Sequence, residues 1–140
     1  RLQVRERIPI IAKSLSECKE GISTIEGITI ELTKSGKANF CYSTSNDYGD
    51  DFHIGLGQVL CSADPTLIYC GLFEEGEKIR VIVYAGDEIS KEKGAGEIVK
   101  SISEILGGTG GGNPKFAQGG GTDKSKKEDA IKNAKTMIFE

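Results

Sequence analysis

The chain has 140 residues, a single-domain length, and 37% of them are hydrophobic, enough for one modest core. Its net charge is only −3, so nothing global announces a nucleic-acid partner. No apolar run approaches the roughly 18 residues of a membrane span and no secretory leader is visible, so a cytoplasmic location without membrane contact is expected.

Charge is unevenly placed. Residues 38–77 hold seven acids and no Lys or Arg, whereas residues 113–139 hold six lysines against three acids. The resulting dipolar arrangement is hidden by the whole-chain balance. The four cysteines, Cys18, Cys41, Cys61 and Cys70, lie far apart, with no C-x-x-C pair and a single histidine, which argues against structural zinc. Cys41 and Cys70 sit in apolar runs and read as small buried hydrophobes, reduced in an intracellular protein. The chain begins at Arg1 with a helical pattern already under way, which reads as a piece of something longer.

In chain order, Val4, Ile8, Ile11, Leu15, Cys18 and Ile22 recur in steps of four and three, an a/d seam interrupted by Pro9. The seam is largely aliphatic, and a dimer contact through Val4, Ile8, Ile11 and Leu15 is the reading taken over packing within the chain. Ile28, Ile30 and Leu32 alternate with polar residues, and Ala38, Phe40 and Tyr42 resume the alternation beyond a hairpin turn at Lys34–Lys37. Asp50 or Asp51 is placed to cap a helix bearing Phe52, Leu56, Val59 and Leu60, closed by Pro65. Two strong strands follow at residues 67–73 and 79–85, joined at Glu75-Gly76-Glu77. A further helix carries Ile98, Val99, Ile102, Ile105 and Leu106 on one face. The last helix starts at a capping box, Ser125-x-x-Glu128, and shows Ala130, Ala134, Met137 and Ile138 on one side. The expected fold is α/β, a compact mixed sheet flanked by helices with a short N-terminal helical lead-in. Residues 1–22 are read as the end of a helical, dimerising subdomain and residues 23–140 as the globular domain.

Between the last two helices lies the most unusual stretch. Gly107–Gly121 has eight glycines in fifteen positions, and each costs backbone entropy on ordering without adding side-chain burial. Such a run is either a linker or a surface that another backbone must approach closely. Phe116-Ala117 at its centre argues for order. If ordered, successive N–H groups and the next helix N-terminus suit phosphate, with Lys115 and Lys124 close by in sequence. The G-x-x-x-x-G-K-[ST] nucleotide loop is absent.

Other clusters read more plainly. Asn46–His53 gathers three acids and the only histidine, but unspaced acids with one His make poor catalytic geometry, and a turn followed by a helix start is preferred. No catalytic residue and no metal ligand is assigned. Lys124, Lys126, Lys127, Lys132 and Lys135 read first as a solvated helix face. Tyr48, in a polar loop, is the one tyrosine singled out for base stacking.

The helix ending in Gly-Gly-x-Gly-Gly-Gly-x-Pro-x-x-Ala-Gln-x-Gly-Gly resembles the signature of the DHHA1 family, in the archaeal-type form found at the C-terminus of alanyl-tRNA synthetases (the C-Ala domain). Asp87-Glu88-Ile89 followed by Gly94-Ala95-Gly96-Glu97 resembles the family's segment upstream of that helix. The resemblance is strongest over residues 78–121. Asn113 and Gln118 stand where the related DHH phosphoesterases carry His and Ala, which favours the synthetase branch.

The resemblance implies a non-catalytic module that binds the elbow of tRNA(Ala), with dimerisation in some lineages. Aminoacylation, editing, ATP, magnesium and zinc would belong to other domains of an alanine–tRNA ligase, and this domain itself would need no cofactor. Its RNA-binding residues would be Gly110, Gly111, Gly112, Asn113, Lys115, Gln118, Gly119, Gly120 and Lys124. The alternative reading is the nucleic-acid-end-binding accessory half of a DHH phosphoesterase. A third is a dimerisation module whose glycines are only structural.

Overall fold

The computed structural model describes residues 4–16, 20–25, 28–35, 38–45 and 48–139. Seven strands form one sheet in the order β1-β2-β3-β4-β5-β7-β6, where β1 is Gly21–Ile25, β2 Ile28–Lys34, β3 Asn39–Ser45, β4 Leu67–Glu75, β5 Lys78–Ala85, β6 Thr109–Gly112 and β7 Phe116–Gly121. The α-helices among the described residues are α1 Val4–Ser16, α2 Asp50–Ala63, α3 Ala95–Ile105 and α4 Lys127–Phe139. Every neighbouring pair of strands is antiparallel except β3 and β4, which run parallel and are joined through α2. A parallel neighbour needs such a crossover, whereas Gly76, at φ +63°, turns the tight β4–β5 hairpin.

The sheet is covered on both faces. One core joins Phe40, Ile68, Leu72, Val81 and Val83 to Ile98, Ile102 and Leu106 near α3 and to Ala130 and Ala134 of α4. The other joins Ile30, Cys41 and Tyr69 to Ile8 and Ile11 of α1 and Phe52, Leu56 and Leu60 of α2. Burial on both faces explains why β4 is buried from Leu67 through Phe73 without interruption. Among the described cysteines, Cys41, Cys61 and Cys70 are buried and unbridged.

The mixed α/β sheet flanked by helices agrees with the sequence reading, and four differences of detail are instructive. The expected division between residues 22 and 23 falls inside β1, with Ile22 exposed on the sheet rather than in the helical seam. Of the expected dimer contact, Ile8 is 8% exposed and Ile11 is 0% exposed, both packed within this chain. Both pack against α2; the side chains of Val4 and Leu15, and Cys18, lie outside the described residues. The last helix begins one turn away from the expected capping box. Asp123 accepts from Ser125 N at 3.2 Å, a 3-10 turn spans Lys124–Lys126, and α4 starts at Lys127. At α2 the N-cap is Gly49 with no side-chain cap, and Asp50 and Asp51 occupy the first turn instead.

Candidate nucleic-acid interface

The glycine run is neither a linker nor an open nest. It folds into the β6–β7 hairpin and extends the sheet beyond β5. Glycine is demanded by how closely other atoms approach. A Cβ at Gly108 would lie 2.0 Å from Gly120 O, one at Gly121 2.1 Å from Leu106 O, and one at Gly120 2.3 Å from Ile79 O. Gly110 and Gly119 face α3, where a Cβ would stand 2.6 and 2.3 Å from Ser103 Oγ. Gly107, at φ +80°, ends α3 and turns the chain into β6.

The hairpin tip is locked from three sides. Asn113 Oδ1 accepts from Lys115 N and Phe116 N, both at 2.9 Å, so its side chain shapes the turn. Ala85 N donates to Lys115 O at 2.9 Å, tying the tip to the end of β5. Ala95 N and Gly96 N donate to Pro114 O and Asn113 O at 2.8 and 3.1 Å. The first amides of α3 are therefore occupied by the tip's own carbonyls. In place of the expected nest of successive N–H groups, the glycine run forms two strands paired with each other and with β5.

The nine expected RNA-binding residues all lie on or beside this hairpin, but they do not converge. Gly110, Gly112 and Gly119 are packed against neighbouring backbone or α3. Asn113 is committed to the turn. Lys115 Nζ pairs with Asp87 Oδ1 at 2.8 Å, and Lys124 Nζ pairs with Glu74 Oε1 at 2.8 Å while donating to Gly76 O at 2.8 Å. Both carboxylates are held below their ordinary pKa by the hydrogen bond and charge of the lysine beside them. The two lysines lie beyond opposite ends of β7, a strand about 17 Å long.

Two open clefts flank the hairpin. One, of about 550 Å³, is lined by Lys78, Arg80, Thr109, Gln118, Gly120 and their neighbours. The other, of about 500 Å³, lies at the start of α3 among Lys91, Lys100, Gly96, Gly110–Gly112 and Pro114. Arg80 and Lys78 were not singled out by the sequence. The signal was present, since Arg80 is the only arginine after Arg7 and interrupts the apolar run Ile79–Ala85.

The other clusters resolve into structure. His53 is fully buried, with Ser43 Oγ and Tyr69 OH 3.3 and 2.7 Å from Nδ1 and Ser45 Oγ 3.2 Å from Nε2. Burial lowers its pKa to about 4, so it is a neutral core histidine. Among the described residues no group of three or more His, Cys, Asp or Glu is placed to hold a metal. Tyr48, expected to offer a stacking face, is 7% exposed, lies 4.4 Å from the Phe52 ring, and bonds Arg7 through its hydroxyl. With so little of the ring exposed, it offers no stacking face here. Lys135 pairs with Glu31 and Lys126 with Asp129. No described helix is long and apolar enough to cross a membrane.

Residues 58–140, from mid-α2 to the end of α4, match the DHHA1 domain. The chain belongs to the DHHA1 domain family. Over 137 residues, 98% of this chain, it is 43% identical to the alanine–tRNA ligase of Nitrosopumilus maritimus, and over 99% it is 37% identical to that of Cenarchaeum symbiosum. The chain spans 14% of the length of each of these relatives. Its fold matches the C-Ala domain of Aquifex aeolicus alanyl-tRNA synthetase at a TM-score of 0.72 and 24% identity, covering 77% of this chain and 97% of that one. The β6–β7 hairpin lies within the residues matched to the DHHA1 domain.

Proposed function

We propose that this DHHA1 domain is the tRNA-binding module of an alanine–tRNA ligase, holding tRNA(Ala) by its elbow while aminoacylation and editing proceed on other domains. The observation that carries the reading is the 43% identity to an alanine–tRNA ligase across 98% of the chain. The hairpin supports it. It stands at one edge of the sheet, its tip is fixed to α3 and β5, and open clefts lie on either side. A rigid, side-chain-poor ledge suits recognition of RNA by shape and backbone, since folded RNA helices offer side chains little readable base sequence. With a net charge of −3, few phosphates are neutralised and binding by the chain alone is weak. Such a module lends orientation rather than chemistry; ATP, magnesium and zinc belong to the other domains, as does a cytoplasmic site of action to the ligase.

The test is a titration of the chain with alanine tRNA, a minihelix RNA lacking the elbow, and a dinucleotide, at two salt concentrations. Whole tRNA is expected to bind best, and more weakly at the higher salt. Equal or tighter binding of the dinucleotide would assign the domain to the phosphoesterase-accessory class instead.

A further inference from the structure

Among the described glycines, four have open space where a Cβ would stand: Gly21, Gly49, Gly76 and Gly111. Gly21 and Gly76 hold positive φ, and Gly49 is the N-cap of α2, a position that favours glycine. Gly111 has neither reason. Its φ is ordinary, nothing lies within 4 Å of its missing side chain, and it sits within a strand, where glycine is unfavourable. Packing explains the bare backbone at Gly108, Gly110, Gly112, Gly119, Gly120 and Gly121 and leaves it unexplained at Gly111.

What faces Gly111 supplies a reason from outside the fold. In the strand register Gly111 stands opposite Gln118, and Arg80 opposite Gly120, so these residues share the hairpin face turned away from α3. Arg80 Nη2 donates to Gln118 Oε1 at 3.4 Å, and Nη1 lies 3.7 Å from Glu75 Oε1, both long contacts for a guanidinium with five N–H donors. Lys115 and Lys124, by contrast, are held at 2.8 Å by their carboxylates. Lys78 projects from the same strand two positions before Arg80 and is exposed. Lys78, Arg80 and Gln118 line the cleft of about 550 Å³, which has no aromatic side chain in its wall and therefore favours phosphate and ribose over a stacked base, while the backbone of Gly111 borders the cleft of about 500 Å³ next to it.

We propose that Arg80, Gln118 and the bare backbone at Gly111 form a track for a single sugar–phosphate strand of RNA. Arg80 grips a phosphate with its planar fork. Gln118, its carbonyl turned to Arg80, keeps its amide N–H groups for a ribose hydroxyl or phosphate oxygen. Gly111, on the outermost strand, lets the strand lie against the sheet edge where any side chain would stand in its path. The inference rests on the tRNA reading above and assigns it to one face of the hairpin, adding Arg80 of β5 to Gly111 and Gln118 of the glycine run.

The experiment compares tRNA binding by the parent chain with Arg80→Gln, Gly111→Ala, Gly111→Val and Lys100→Gln, the last in the opposite cleft, with thermal unfolding of each. Arg80→Gln is expected to weaken binding about tenfold. It should also reduce the slope of log affinity against log salt by roughly 0.7–0.9, the value of one lost phosphate contact. Gly111→Ala and Gly111→Val should weaken binding progressively while unfolding at or above the parent's temperature, since no neighbour obstructs the added atoms. Lys100→Gln should stay within about twofold of the parent. Parent-like binding by both Arg80→Gln and Gly111→Ala overturns the track while leaving the tRNA reading intact, and a loss confined to Lys100→Gln moves the RNA to the α3 face. A parent chain that binds no tRNA removes the tRNA reading and the track with it.

Discussion

His53 lies directly on Gly71. A Cβ added at Gly71 would stand 2.4 Å from His53 Nδ1, so the middle of β4 is bare where α2 lays its imidazole on the sheet. Phe73, two residues along the same face, stacks on the ring at 5.1 Å between centroids. Gly71→Ala is therefore an overpacking substitution. It should cost about 1–3 kcal/mol of stability and lower the unfolding midpoint by several degrees, read by calorimetry.

The same histidine makes stability depend on pH. Its folded pKa of about 4 lies below the ordinary 6.5 because burial disfavours the imidazolium, with Asp50 opposing this. Between those two values the unfolded chain binds more protons than the folded one. Its contribution is thus complete above pH 6.5 and is lost as pH falls towards 4, by about 3 kcal/mol in all. Urea midpoints at pH 7, 5.5 and 4.5 should fall less steeply for His53→Gln than for the parent.

Glycines of the hairpin divide into two kinds that one substitution separates. Gly121→Ala drives a methyl to 2.1 Å from Leu106 O, between β7 and the end of α3, where backbone cannot yield cheaply. A loss of about 2–3 kcal/mol or more is expected. Gly111→Ala meets open space and should gain about 0.5–1 kcal/mol by removing glycine's entropy from the unfolded chain. Equal losses at the two positions would refute this division.

Ile11, 0% exposed under α2, tests the assignment of α1 to this chain's own core. Ile11→Ala should cost about 2–5 kcal/mol through lost burial and the cavity left behind. For both parent and variant the unfolding midpoint should not change with protein concentration. A midpoint that climbs with concentration in the parent and not in the variant would instead place Ile11 between two chains.

Strands β2 and β3 were legible because Ile28, Ile30 and Leu32, then Ala38, Phe40 and Tyr42, declare a period of two, and β4 and β5 because they are nearly continuous apolar runs. The β6–β7 hairpin was not legible, because a strand of Thr-Gly-Gly-Gly has almost no side chains to alternate. Glycine's entropy argued for a loop there, and the close contact with α3 that reverses the argument is tertiary. Tyr48 misled through its polar neighbours, although Phe52 four positions on was a hint that the ring is covered. Lys115 and Lys124 were found by proximity in sequence to the glycines, yet their partners Asp87 and Glu74 come from other elements, which no local pattern reveals. Ile8 and Ile11 showed the right periodicity but not which surface they meet, since an a/d seam looks alike whether it faces α2 or another chain.

The order in which the sheet is completed carries a consequence for synthesis. β5 pairs on one side with β4, its immediate predecessor, and on the other with β7, which follows only after α3 and β6 have been made. Until then the edge bearing Ile79, Val81 and Val83 stands unpaired on a growing chain, an invitation to intermolecular pairing. The glycine hairpin thus closes the most apolar margin of the sheet, and a chain truncated before Phe116 is expected to aggregate rather than merely lose its RNA-facing surface.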